Sequence, residues 1–294
     1  MRIGVGLPST VPGVEGPEIT AWARRAEERG FSTLGVLDRL VYDNYEPLVT
    51  LAAAAAVTRR IGLATTVLTA PYRNNTPLLA KQLASVDRLS SGRLTLGLAA
   101  GNRDDDFTVS GVPPALRGRL LDAMIEELQG IWSGDASGDP VPVGPVPRGP
   151  LPLMFGGTSE AAFRRAATHG RGWIAGGSSP SGFRANAERV EATWSRYGRV
   201  DRPHLMTLLY FALGPQADKY AKDYLLDYYA FSGRAESIVR MAFTDAGRLR
   251  SAVREYEAAG CDEIVFMPCD AGLEQLDRLA DAVFQGVSRP GRRR

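Results

Sequence analysis

Between residues 61 and 101, two short apolar runs bracket one helix-length segment. The first is Ile61-Gly-Leu-Ala-Thr-Thr-Val67 and the second Arg93-Leu-Thr-Leu-Gly-Leu98, with a helical pattern over 77–89 between them. Strand, helix, strand at this spacing is a βαβ unit, because parallel strands need a crossover of about a dozen residues or more. That commits the chain to a parallel sheet. Small residues close both strands, leaving room for something flat to lie against bare backbone.

The same alternation runs through the chain. Strands are expected at 2–7, 33–37, 61–67, 93–98, 153–155, 172–175, 205–213 and 263–267. Helices are expected at 18–29, 46–58, 77–89, 116–132, 159–169, 183–197, 217–231, 235–243, 246–259 and 273–284. A Gly/Pro-rich stretch at 133–150 reads as a loop, and 288–294 as a disordered basic tail. The fold class is α/β. A (β/α)8 TIM barrel takes about 250 residues, so 1–287 of the 294 residues form one such domain. A doubly wound open sheet is the rival, but over this length it would usually split into two units.

Composition narrows the chemistry. A formal net charge of +2, with the basic residues dispersed, argues against a nucleic-acid partner. No signal peptide is visible and no apolar run approaches the ~20 residues that span a bilayer, so a cytoplasmic protein without a membrane partner is expected. Cys261 and Cys269 suggest neither a disulfide framework nor a metal site. The lysines Lys81, Lys219 and Lys222 all fall on expected helices, against Schiff-base catalysis at a strand end. His169 ends a helix and His204 enters a strand from the opposite face, which leaves no metal-ligand cluster and no Ser-His-Asp arrangement. The hard chemistry then belongs to a bound cofactor.

Active sites of such barrels lie at the C-terminal strand ends. That rule selects Pro8, Asp38, Arg39, Thr66, Val67, Ala99, Gly101, Asn102, Arg103, Gly156, Gly157, Thr158, Ser159, Gly176, Gly177 and Met267. Gly156-Gly157-Thr158-Ser159 follows a strand and opens a helix, as a phosphate site does, although Thr158 or Ser159 would serve equally as a simple N-cap. Gly176-Gly177 supplies a second backbone-lined edge. Arg103 either pairs with phosphate or ribityl oxygens or balances the acidic run 104–106, which reads as a solvated loop.

These pieces resemble the luciferase-like superfamily of flavin and deazaflavin oxidoreductases. The resemblance rests on Ala26-Glu-Glu-Arg-Gly-Phe31, Leu37-Asp38, Ala55-Ala-Val-Thr-Arg-Arg-Ile-Gly-Leu63, Leu89-Ser-Ser-Gly-Arg-Leu-Thr-Leu-Gly97, Gly101-Asn-Arg-Asp-Asp-Asp-Phe107, Arg117-Gly-Arg119 and Phe155-Gly-Gly-Thr-Ser-Glu-Ala-Ala162 through Gly172-Trp173, in this order. It implies a TIM barrel holding FMN or the deazaflavin F-420 at its C-terminal face. It also implies a non-prolyl cis peptide at Thr66-Val67 behind the ring, the stretch 99–102 along the ring, and the phosphate at 156–159 and 176–177. A small-molecule substrate, a homodimer and, for a monooxygenase, a separate cofactor reductase follow from the same resemblance. Two departures matter. Arg39 stands where many relatives carry histidine, and Asn102 where sugar-phosphate members carry glutamate. Alcohol or sugar dehydrogenation is therefore disfavoured, and reduction of an activated C=C or C=N bond is expected, with an FMNH2- and O2-dependent monooxygenase and a non-catalytic flavin-binding barrel as the alternatives. Arg39 either meets a substrate anion or bridges to Asp38 or Asp43. Tyr42, on the same loop, is a proton donor, a substrate wall or a packing residue.

Overall fold

The computed structural model describes residues 1–134 and 143–284. The tail 288–294 and part of the Gly/Pro-rich loop, 135–142, lie outside the described residues. The strands are β1 (Arg2–Gly6), β2 (Thr33–Val36), β3 (Gly62–Thr69), β4 (Leu94–Ala99), β5 (Leu153–Gly156), β6 (Gly172–Ala175), β7 (His204–Phe211) and β8 (Glu263–Pro268). They pair in chain order, all parallel, and β1 closes on β8 with Ile3 opposite Ile264. The result is a (β/α)8 barrel. Helices α1 (Gly16–Arg29), α2 (Pro47–Val57) and α3 (Thr76–Leu89) follow the first strands, then α4 (Asp104–Val109) and α5 (Arg117–Ser133). The second half carries α6 (Glu160–His169), α7 (Pro180–Arg196), α8 (Ala217–Tyr228), α9 (Ala235–Met241), α10 (Ala246–Ala258) and α11 (Leu273–Phe284).

Strands buried on both faces read as continuous apolar runs, and β8 is buried at every position. One face packs under the helices. The other, including Met154, Ile174, Met206, Val265 and Met267, fills the barrel and continues into Tyr224 and Tyr228 of α8. Glycine makes the room: a Cβ on Gly35 would lie 2.9 Å from Val265, and one on Gly97 only 2.2 Å from the Thr65 carbonyl oxygen. The N-terminal end is closed by polar groups around a small cavity of about 110 Å3. There the buried Glu263 carboxylate accepts from Thr33 Oγ1 (2.6 Å) and Ser32 Oγ (2.7 Å), with His204 Nε2 at 3.4 Å. His204 thus sits at the face away from the mouth, as expected.

Two expectations need correction. The acidic run 104–106 is the first turn of α4, not a solvated loop, and Asp106 is buried. The helix expected over 217–231 ends at Tyr228, and a 3-10 turn, Ala230–Ser232, leads to Gly233 at φ +63°. That left-handed glycine turns the chain toward α9 and places 229–234 over the mouth of the barrel.

Candidate active site at the C-terminal mouth of the barrel

Asp38, just past β2, is saturated by its neighbours. Its Oδ1 accepts from Tyr72 Oη (2.6 Å) and Arg73 Nη2 (3.1 Å), its Oδ2 from Thr69 N (2.7 Å) and Arg73 Nη1 (2.8 Å). A carboxylate offers about four acceptor positions, so the Asp38 side chain anchors the end of β3 with those positions filled. The Thr66–Val67 peptide is cis. Thr66 Oγ1 donates to Val36 O at 2.9 Å inside the barrel. Val67, Ala99 and Gly156 meet on one edge, where a Cβ on Gly156 would lie 3.1 Å from Val67 Cγ1 and 3.6 Å from Ala99 Cβ.

Arg39 is buried and pairs with neither Asp38 nor Asp43. Its Nη2 lies 3.0 Å from Asp105 Oδ2 and donates to Val41 O at 2.8 Å, while Nε stands 4.0 Å from Asp106. Asp106 in turn accepts from Leu40 N (3.1 Å) and Val41 N (2.7 Å). The loop after β2 and the first turn of α4 therefore hold each other. Tyr42 donates to Asp227. Burial first, and that carboxylate second, push its phenol above the ordinary value.

Arg103 is also buried, and no carboxylate stands within ion-pair distance of it among the described residues. It does not balance the acidic run by a direct bridge. Its Nη2 donates to Tyr228 O at 3.1 Å, its Nη1 has no partner, and its guanidinium lies 3.5 Å from the Phe231 ring centre. Burial lowers its affinity for a proton, and Arg39 adds to that.

Next to this cluster opens a cavity of about 1010 Å3. Of the expected residues, Asn102, Gly176 and Gly177 line it. A Cβ on Gly176 would meet nothing within 4 Å, so the backbone there is bare. Ser178, whose Oγ is buried and without a partner, is among the residues lining it. Tyr210 and Tyr229 line it with their hydroxyls 2.8 Å apart. Burial pushes Tyr210 well above its ordinary value, its tyrosine neighbours adding to the rise; it also raises Tyr229, against the hydrogen bond shared with Tyr210. The loop after β5 does not reach this cavity. Gly157, at φ +110°, gives its carbonyl to Trp173 Nε1 (2.7 Å), Ser159 Oγ caps α6 through Ala162 N (3.2 Å), and Thr158 is exposed. Gly101 sits at φ +80° as a turn residue, its added Cβ 2.4 Å from Thr69. Sequence reasoning missed Ser178, Tyr210, Tyr229, Phe231, Arg234, Arg240 and Arg248. Clustered tyrosines within 210–229 were the one available signal.

The described residues hold no group of three or more His, Cys, Asp or Glu arranged for a metal ion, and no helix long and apolar enough to cross a membrane. An uncharacterised protein of Mycobacterium tuberculosis is 30% identical over 236 residues, 69% of this chain and 81% of its own. A solved F-420-dependent secondary alcohol dehydrogenase, holding an F-420–acetone adduct, superposes with a TM-score of 0.82. It is 16% identical and covers 96% of this chain and 98% of its own. The oxygenating constituent of 3,6-diketocamphane monooxygenase from Pseudomonas putida, a type II Baeyer-Villiger enzyme solved with FMN, has a TM-score of 0.74. It is 15% identical over 99% of both chains. The sequence of residues 1–266 matches the luciferase-like monooxygenase model. The chain belongs to the luciferase-like monooxygenase family.

Proposed function

We propose that the protein is an oxidoreductase that moves hydride between the deazaflavin F-420 and a small organic substrate, reducing an activated C=C or C=N bond. The observation that carries this reading is the cavity of about 1010 Å3, lined by bare backbone at Gly176 and Gly177, by Ser178 with its unpartnered hydroxyl, and by three arginines. Those groups suit a large anionic cofactor; FMN shares the phosphate but not the longer anionic chain. When bound, the cofactor supplies the hydride.

The protein supplies the rest. Gly176, Gly177 and Ser178 hold the anionic end with backbone and hydroxyl donors beside the N-terminus of α7. Of the two loops expected to take the phosphate, 156–159 and 176–177, the second takes it in this reading. Reduction of a double bond needs one proton, and the Tyr210–Tyr229 pair lines the cavity with one hydroxyl hydrogen free whichever phenol donates to the other. Raised pKa values keep both phenols protonated at neutral pH. Arg39 and Tyr42, committed to Asp105 and Asp227, act as positioning residues that fix the loop after β2.

The test is anaerobic mixing of protein and reduced F-420 with a panel of enones and cyclic imines. Substrate-dependent reoxidation without oxygen is the expected result. Turnover that requires O2 and reduced FMN would overturn it in favour of the monooxygenase. Tyr229→Phe should lower kcat by about a hundredfold with cofactor Kd unchanged; an unchanged kcat removes the phenol from proton transfer. Because the phenol stays protonated past its ordinary pKa of about 10, the wild-type reduction rate should stay flat from pH 6 to about 10.

A further inference from the structure

Besides Gly176–Ser179, the cavity is lined by the turn after α8, by α9 and by the first turn of α10. These contribute Arg234, Arg240 and Arg248. No aspartate or glutamate lines the cavity. None of the three guanidiniums stands within ion-pair distance of a carboxylate among the described residues, and all three are exposed to solvent. Elsewhere in this chain arginine is commonly paired: Arg25, Arg73, Arg165, Arg184 and Arg199 all meet carboxylates at 3.0 Å or less. Three like charges around one open space repel each other, and the arrangement is relieved by a ligand with several negative charges. One phosphate, with at most two negative charges, would leave part of this positive charge unmet.

We infer that Arg234, Arg240 and Arg248 form a subsite for an oligocarboxylate chain that extends beyond the cofactor's phosphate. The subsite selects the glutamate-tailed deazaflavin over FMN. It rests on the reading of the cavity as the cofactor site. The guanidiniums take the glutamate carboxylates, and the phosphate stays at the N-terminus of α7. The anchoring is electrostatic and partly exposed, so it weakens with salt.

Equilibrium binding, followed through the cofactor's own fluorescence, tests this with the full-length chain and three probes. These are the deazaflavin riboside without phosphate, its phospholactate without glutamates, and F-420 carrying several glutamates. The glutamates should tighten binding by about tenfold or more over the phospholactate form. The triple variant R234A/R240A/R248A should abolish that increment while leaving riboside affinity unchanged, and 0.5 M salt should shrink it in the wild type. The residues are exposed, and an unchanged thermal midpoint verifies folding of the variant. Equal affinity for phospholactate and glutamylated forms, or an increment that survives in the triple variant, overturns the subsite and leaves the cofactor reading standing. So does a loss seen only in substrate KM, which would assign the arginines to a substrate anion. Failure of all three probes to bind overturns both.

Discussion

Arg39 and Arg103 face the same aromatic cluster, yet their charges are met differently. Arg39 has Asp105 at 3.0 Å and the buried Asp106 at 4.0 Å. Arg103 has a carbonyl oxygen and the faces of Phe231 and Tyr228. Ring faces attract a desolvated guanidinium by up to about 2 kcal/mol, which holds Arg103 without neutralising it. The two arginines should therefore respond differently to truncation. Arg39→Ala removes the guanidinium within ion-pair distance of Asp105 and Asp106, leaving buried Asp106 to the Leu40 and Val41 amides. It should destabilise the protein by about 1–3 kcal/mol, read as a lower urea midpoint; an unchanged midpoint would free Arg39 for a substrate role. Gly157 is constrained in another way. Its φ of +110° makes any side chain there strained, so a charged replacement would report backbone conformation as well as repulsion of an anion.

At the scale of elements, what could be read in advance depended on how local the cause was. The βαβ unit at 61–101 was legible because buried parallel strands are apolar runs, and helix stops such as Gly30 at φ +90° are written in one residue. The turn that seats Asp105 and Asp106 was not legible. Three aspartates in succession look solvated until Arg39 and the amides of Leu40 and Val41, some 65 residues earlier, fold against them. Nothing in the sequence marked the arginines at 234, 240 and 248 as one cluster. They reach one cavity because α8 stops at Tyr228 and Gly233 redirects the chain, a break that helical periodicity across 217–231 concealed. The Gly-Gly-Thr-Ser motif shows the opposite case: the local reading of Ser159 as an N-cap describes what its hydroxyl does.

Over the whole molecule the two ends of the barrel differ, with the candidate site at the C-terminal mouth and a locking cluster at the N-terminal end. Burial raises the pKa of Glu263, but hydrogen bonds from His204, Thr33 and Ser32 and the charge of Arg2 outweigh it and hold the carboxyl below its usual range. Glu27 behaves alike: burial opposes, and the amides of Ile61, Arg60 and Arg59 prevail. Unfolded glutamates titrate near 4.3, about the upper limit of the window. Both contributions are thus complete above that pH and are lost as pH falls through the lower folded values. The urea midpoint should decline from about pH 4.3 downward, and Glu263→Gln should flatten the decline while lowering the midpoint at pH 7. A parallel decline in the variant would place the acid sensitivity elsewhere.

The hydrogen bond from Trp173 to the Gly157 carbonyl has an optical consequence. The indole is packed between Phe163 and Phe183, shielded from water, with its one polar atom tied to the loop after β5. Its emission should shift when that carbonyl is pulled toward or away from it, while Trp22 and Trp194, bonded to Gly6 and Asp201, form a steady background. A ligand-dependent shift that disappears in Trp173→Phe would let the unlabelled barrel announce whether the β5 loop takes part in binding.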